Sequence, residues 1–171
     1  MPTRQQIVAG AGVSIGLLLI GYALFSRETD EEQIKRKLDE LEEAVHVSGD
    51  AENVVVRGAR LNGDFEKIFD QKVRISIPEL TSAASGRQDL VGLATKAGTW
   101  FETLDIDFES VSIEAGDIGA QVNTRAVLVA SRPGRGLQKD ERDVRFSLMK
   151  DDGEWKIDSV SVAPRDEQER E

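Results

Sequence analysis

Asp143-Val-Arg-Phe-Ser-Leu-Met-Lys-Asp-Asp-Gly-Glu-Trp-Lys-Ile157 decides how the chain is read. Arg142 to Lys150 reads as a strand, Asp151-Asp152-Gly153 as a tight turn, and Glu154 to Ala163 as the strand that returns. Glycine suits the turn because it takes the positive φ that such loops demand. Trp155 and Ile157 share one parity of the returning strand, whereas Val160 and Val162 share the other. A β-bulge near Asp158-Ser159 brings all four to one face and bends the sheet.

Outward from this hairpin the chain is strand after strand. The loop Pro133-Gly-Arg-Gly136 is preceded by a strand over Ala120 to Arg132. There Val122, Thr124, Ala126 and Leu128 share a face, but Val127 and Val129 point the other way, so the strand reads as covered on both sides. Either a second subunit or a neighbouring loop would supply the second cover. Glu114 to Gly119 forms a turn, and before it Leu104, Ile106 and Phe108 alternate with Asp105, Asp107 and Glu109, continuing through Val111 and Ile113.

Earlier segments change period. Gln88 to Phe101 reads as a helix carrying Leu90, Val91, Leu93, Ala94, Ala97, Trp100 and Phe101, after a loop marked by Ser85-Gly86. Lys72 to Pro78 alternates Val73, Ile75 and Ile77 with polar residues and predicts a short strand. Ala51 to Asp70 is mixed: Val54-Val55-Val56 favours strand, while Leu61, Phe65, Ile68 and Phe69 have helical spacing. A helix interrupted near Gly58 or Gly63 is the expectation. The first helix begins where Thr29 or Asp30 can cap it, its acidic first turn complementing the helix dipole. Ile34, Leu38, Leu41 and Val45 form one apolar stripe, suited to covering the domain's own core. A coiled-coil stalk would need a longer run of heptads.

Before this helix lie 19 uncharged residues, Ile7 to Phe25. At the helical rise they span about 28 Å, close to the hydrocarbon thickness of a bilayer. The run exceeds the apolar core of a cleaved signal peptide, about 7–15 residues, and predicts a retained single-pass anchor. Gly12 and Gly16 make a GxxxG spacing through which two anchors could pack. Arg4 and the terminal amine before the helix place the N-terminus in the cytoplasm by the positive-inside rule. The predicted organisation is a stub and transmembrane anchor over residues 1–27, an exported soluble domain over 28–164 and a charged disordered tail over 165–171, in a bacterial-type cytoplasmic membrane.

Arg4 and Arg27 are the only charged residues up to position 27, so the rest of the chain carries 20 basic against 32 acidic side chains, a net charge of −12. Such a surface keeps a domain soluble and excludes nucleic acid as a partner, because phosphate binding needs clustered cations. The absence of cysteine removes disulfides, thiolate metal sites and a cysteine nucleophile.

Three helical segments, one strand before the last of them, then four long strands is a distinctive order. Phe69-Asp-Gln-Lys-Val-Arg-Ile-Ser-Ile-Pro78, followed by Gly86-Arg-Gln-Asp-Leu90, resembles a passage of the nuclear transport factor 2-like (SnoaL-like, cystatin-like cone) family. Asp143 to Ile157 resembles that family's closing hairpin, and the resemblance covers Thr29 to Pro164. It implies an α+β domain in which helices cover a strongly curved antiparallel sheet in a cone. It also implies an apolar pocket, with Phe65, Phe69, Trp100, Phe101, Phe108, Phe146 and Trp155 as its lining. Ordinary core packing is the competing account of the same aromatics.

Enzymes of this family, such as ketosteroid isomerase and scytalone dehydratase, use pocket Asp, Tyr or His residues. Here the single tyrosine, Tyr22, lies in the anchor, and the single histidine, His46, stands at the end of the first helix, where it favours the dipole. Asp70 and Asp105 are the nearest candidates for a base raised by burial, but Asp105 and Asp107 lie opposite the apolar parity of their strand. No spacing suggests a metal site, and turn geometry accounts for Asp151-Asp152-Gly153 better than calcium does. The reading is therefore a non-catalytic interaction domain without cofactor, anchored in the lipid bilayer and able to pair with itself or an envelope protein. A module binding a hydrophobic molecule or lipid in the cone is the alternative.

Overall fold

The computed structural model describes residues 28–49, 52–78 and 85–164. The apolar segment Ile7–Phe25, with Gly12, Gly16 and Tyr22, lies outside the described residues, as does the tail 165–171. Among the described residues no helix is long and apolar enough to cross a membrane. The element order is α1 Asp30–Val45, β1 Val47–Ser48, α2 Val54–Ile68, β2 Phe69–Ser76, α3 Arg87–Trp100, β3 Thr103–Ala115, β4 Gly119–Arg132, β5 Arg135–Asp151 and β6 Glu154–Val162. Six strands form one curled sheet in the order β1-β3-β4-β5-β6-β2, with the helices against its inner face.

The closing hairpin has the predicted turn. Asp152 and Gly153 both take positive φ, 48° and 84°, between the paired Asp151 and Glu154. The bulge also falls where parity requires it: Ser147 pairs with Ser159 and Leu148 with Ile157, leaving Asp158 as the extra residue. Trp155, Ile157, Val160 and Val162 consequently all meet the core. A second bulge lies in β3, where the register shifts between Glu109 and Ser112 and Ser110 takes a φ of 54°. The Thr124 hydroxyl holds it by donating to the Glu109 carbonyl at 2.7 Å. Bulges bend and twist the strands that carry them, which curls this sheet around its helices.

Three expectations need correction. The sheet is not wholly antiparallel, because β2 runs parallel to β6. β5 begins at Arg135 rather than Arg142; its first residues pair with β4 but bury no side chain, Leu137 included, so they show no apolar alternation. α2 runs unbroken through Gly58 and Gly63 and gives way to β2 at Phe69, earlier than Lys72. At Gly58 a Cβ would stand 3.6 Å from Thr95, so this glycine lies where α2 meets α3 rather than at a break.

The helices are fixed by their ends. Thr29 and Glu32 form a reciprocal capping box on α1. Asp30 accepts from the Trp155 indole N–H at 2.9 Å and the Lys150 ammonium at 2.6 Å, tying the start of α1 to the closing hairpin. At its other end α1 has no basic residue in its last turn, yet its carbonyls are satisfied by α2. Arg57 donates to the carbonyls of Val45 and His46, and Arg60 to that of Ala44. Arg57, only 3 % exposed, also donates to Ala94 in α3. Between these ties Ile34, Leu38, Leu41 and Ala44 pack against Leu61, Phe65, Ile68, Val122, Phe146, Leu148 and Ile157.

Candidate functional site

The seven aromatics singled out as pocket lining do not gather around one space. Phe65, Phe69, Phe146 and Trp155 are buried in the main core, with Phe146 and Trp155 each 1 % exposed. Phe65 meets Phe69 edge-on at 5.0 Å, and the half-buried Phe108 meets Phe146 edge-on at 5.2 Å. Phe101 belongs instead to a smaller cluster with Val47, Leu104 and Ala130, where the Arg132 guanidinium lies 4.9 Å over its ring. Trp100 ends α3 and is 56 % exposed. Two pairs, Phe65 with Phe69 and Phe108 with Phe146, thus fill space between sheet and helices by packing on one another.

The carboxylates fall into structural roles. Asp70 accepts from the Lys72 amide at 2.7 Å. Asp105 lies 3.1 Å from His46 Nδ1, and both side chains are about half exposed or more. Hydrogen bonds from Lys150 and then Trp155 hold the Asp30 carboxyl below its ordinary value, keeping it ionised. Glu42, which sequence reasoning passed over, differs. Burial raises its pKa, reinforced by the charges of Asp39, Asp107 and Asp105, and opposed by a hydrogen bond from the Phe108 amide at 2.5 Å. That amide lies on the open edge of β3, beyond the short stretch paired with β1, so Glu42 caps a strand edge. Its one legible signal is position, directly beside Leu41 on the apolar stripe. No group of acidic or histidine side chains suited to a metal occurs among the described residues.

The sheet's other face carries the more open arrangement. Register places Ser112, Asn123, Arg145 and Ser161 on one rung across β3, β4, β5 and β6. The next rung holds Glu109, Arg125 and Asp143, and the one beyond holds Asp107, Val127 and Glu141. Ser110, Ser112, Asn123, Arg125, Asp143, Arg145 and Ser161 line a hollow of about 490 Å³ where the β3 bulge turns the strand away. Arg145 donates through Nε to Asn123 Oδ1 at 3.0 Å, which orients its guanidinium. Arg125 Nε stands 3.8 Å from Asp143, too far for a hydrogen bond. Val127, on this same face, is only 5 % exposed, as its outward-facing parity demanded some cover. A comparable hollow near His46 is lined by Arg57 and Arg60, but those guanidiniums are engaged by the end of α1 and by Glu52.

No protein-family model matches the chain, and no curated protein matches it. Solved structures do. A nuclear transport factor 2-like superfamily protein from Salmonella enterica is 11 % identical, with a TM-score of 0.61 over 79 % of this chain and 90 % of that one. A putative scytalone dehydratase from Novosphingobium aromaticivorans is 14 % identical, with a TM-score of 0.58 over 78 % and 82 %. A putative calcium/calmodulin dependent protein kinase II association domain from Xanthomonas campestris is 11 % identical, with a TM-score of 0.60 over 80 % and 90 %. At such identities the likeness speaks for the fold alone. The curled sheet wrapped on three helices, with its closing bulged hairpin, is the nuclear transport factor 2-like fold.

Proposed function

We propose that the chain is a membrane-tethered, non-catalytic interaction domain that associates with protein, a second copy of itself included, through the outer face of its sheet. The observation that carries this reading is the contrast between the two faces. The inner face is filled by packed aromatics and aliphatics, while the outer face presents an open, hydrogen-bonding hollow beside a buried valine. The side chains available near the core support a non-catalytic role. Asp30 is committed to Trp155 and Lys150, and Glu42 to a strand edge. The tether rests on the 19 uncharged residues Ile7–Phe25, and the exported placement of the domain rests on Arg4 preceding them.

Cross-linking of the full chain in native membranes, with protease added to one side, tests both parts. Dimers or a recurrent cross-linked partner, with residues beyond 28 digested from the exported side only, are expected. Monomer alone, or a domain shielded on that side, would refute the respective part.

A cone that holds a hydrophobic molecule is the second reading, favoured by a fold that is also found in a putative scytalone dehydratase. Native mass spectrometry of the purified chain reports it as a retained small molecule.

A further inference from the structure

Ile118 and Met149 leave two large apolar side chains in water at one end of the sheet, 74 % and 53 % exposed. Ile118 stands in the β3–β4 turn, which the Gly116 amide closes by donating to the Gly119 carbonyl at 2.9 Å. Met149 is paired with Gly119, and the next amide, that of Lys150, donates to the Ile118 carbonyl at 3.0 Å. The two residues therefore share one small area. Turn geometry accounts for the glycines around Ile118 but not for a bare isoleucine between them. This end of the sheet is also where α1 starts: Lys150 reaches Asp30 at 2.6 Å, and the Trp155 indole reaches it at 2.9 Å. In the sequence the uncharged run ends at Phe25, five residues before Asp30. Five residues of extended chain span about 17 Å at most. An anchor over Ile7–Phe25 would thus hold this end of the domain against the bilayer. The opposite end offers a comparison, because Leu137 is 73 % exposed and lies twelve residues before Met149 in β5, roughly 40 Å along the strand.

We infer that the β3–β4 turn and the neighbouring end of β5 rest on the bilayer surface, with Ile118 and Met149 immersed among the headgroups and upper acyl chains of zwitterionic lipid. This inference rests on the tether proposed above and names the surface of the domain that faces the membrane. The tether makes so small an apolar pair sufficient. A short link turns contact with the bilayer into an intramolecular event, so two side chains need only orient a domain that is already there. Apolar area entering the interface supplies that orienting force. Charge selects the lipid. Asp117, Asp151, Asp152 and Glu154 are exposed around the pair, and Lys150 is already matched by Asp30. An anionic leaflet attracts cationic segments and repels an acidic rim of this kind.

The chain has no cysteine, so single nitroxides can be placed through Ile118→Cys, Met149→Cys and, as the control, Leu137→Cys. The full chain is reconstituted in phosphatidylcholine nanodiscs, and relaxation of each label by oxygen, which concentrates in lipid, is compared with relaxation by a water-soluble nickel chelate. The oxygen-to-nickel ratio is expected to be about threefold higher or more at Ile118 and Met149 than at Leu137, in keeping with interfacial immersion. Equal ratios at the three positions would overturn the inference. A label at Asp117→Cys separates insertion from mere nearness. Adding Ile118→Ser and Met149→Ser is expected to bring its ratio down to that of Leu137, and an unchanged ratio would overturn the role assigned to the pair. Both side chains are exposed, so these replacements leave the core intact. Exchanging about one third of the lipid for phosphatidylglycerol is expected to lower the ratios at Ile118 and Met149, and equal or higher ratios would overturn the choice of zwitterionic lipid. A chain missing from the nanodisc fraction before any label is read refutes the tether, and this contact with it.

Discussion

At the scale of single residues, Glu42 and Asp30 show opposite uses of a carboxylate. Glu42 is partly desolvated, faces Asp39, Asp105 and Asp107, and has a folded-state pKa above its unfolded one. Its charged form therefore opposes folding at pH above the folded value, and that penalty disappears below the unfolded value. Glu42→Gln keeps an acceptor for the Phe108 amide and is expected to raise the melting temperature at neutral pH. The gain should shrink to nothing as the pH falls below the ordinary glutamate range, as thermal melts across pH will show. Asp30 has its pKa lowered, so its contribution is present above the unfolded value and is lost as pH falls through the folded one. Asp30→Asn retains an acceptor for the Trp155 indole but loses the ion pair with Lys150. It should flatten the acid limb of the stability profile, with Trp155 fluorescence as the reporter. In the sequence Glu42 shows only its place beside the apolar stripe and Asp30 reads as a cap, so neither partner was legible there. A hydrogen bond to a strand edge or to a tryptophan far along the chain leaves no local pattern.

At the scale of elements, the strongest constraints sit where helices touch. A Cβ on Gly98 would lie 2.7 Å from Arg57 Cδ and Nε, and Arg57 cannot swing aside because its donors are spread over the carbonyls of Val45, His46 and Ala94. Gly98→Ala should therefore cost roughly 1–3 kcal/mol through overpacking. Gly92, in the same helix with nothing within 4 Å, is the control. Gly92→Ala should stabilise by about 0.4–1 kcal/mol by removing backbone freedom from the unfolded chain, and denaturant titration separates the two. The elements themselves divide by the physics that writes them. The β5–β6 hairpin and its bulge were readable because an Asp-Gly turn and a switch of apolar parity are local signals. Leu137 to Glu141 was not read as strand because no apolar face is buried there. The parallel pairing of β2 with β6 joins segments more than eighty residues apart, and no local periodicity records it.

For the whole molecule, the fold depends on one continuous core to which α1, α2, the sheet and the closing hairpin all contribute. Trp155 is its largest fully buried side chain, and Trp155→Ala should cost about 3–5 kcal/mol, enough to unfold much of a marginally stable domain. The aromatic inventory pointed at this core, yet it did not reveal that Trp100 and Phe101 stand apart from the rest, since parity names a face and not a cluster. The outer face was legible only as the doubly apolar character of β4; the rung of Ser112, Asn123, Arg145 and Ser161 needed the register of four strands. Under the proposed function this domain works by its outer surface and not by its interior, and native mass spectrometry of the full chain, released gently from detergent, tests this. A dimer whose mass equals two bare chains is the predicted result; a monomer that carries a retained small molecule would contradict it.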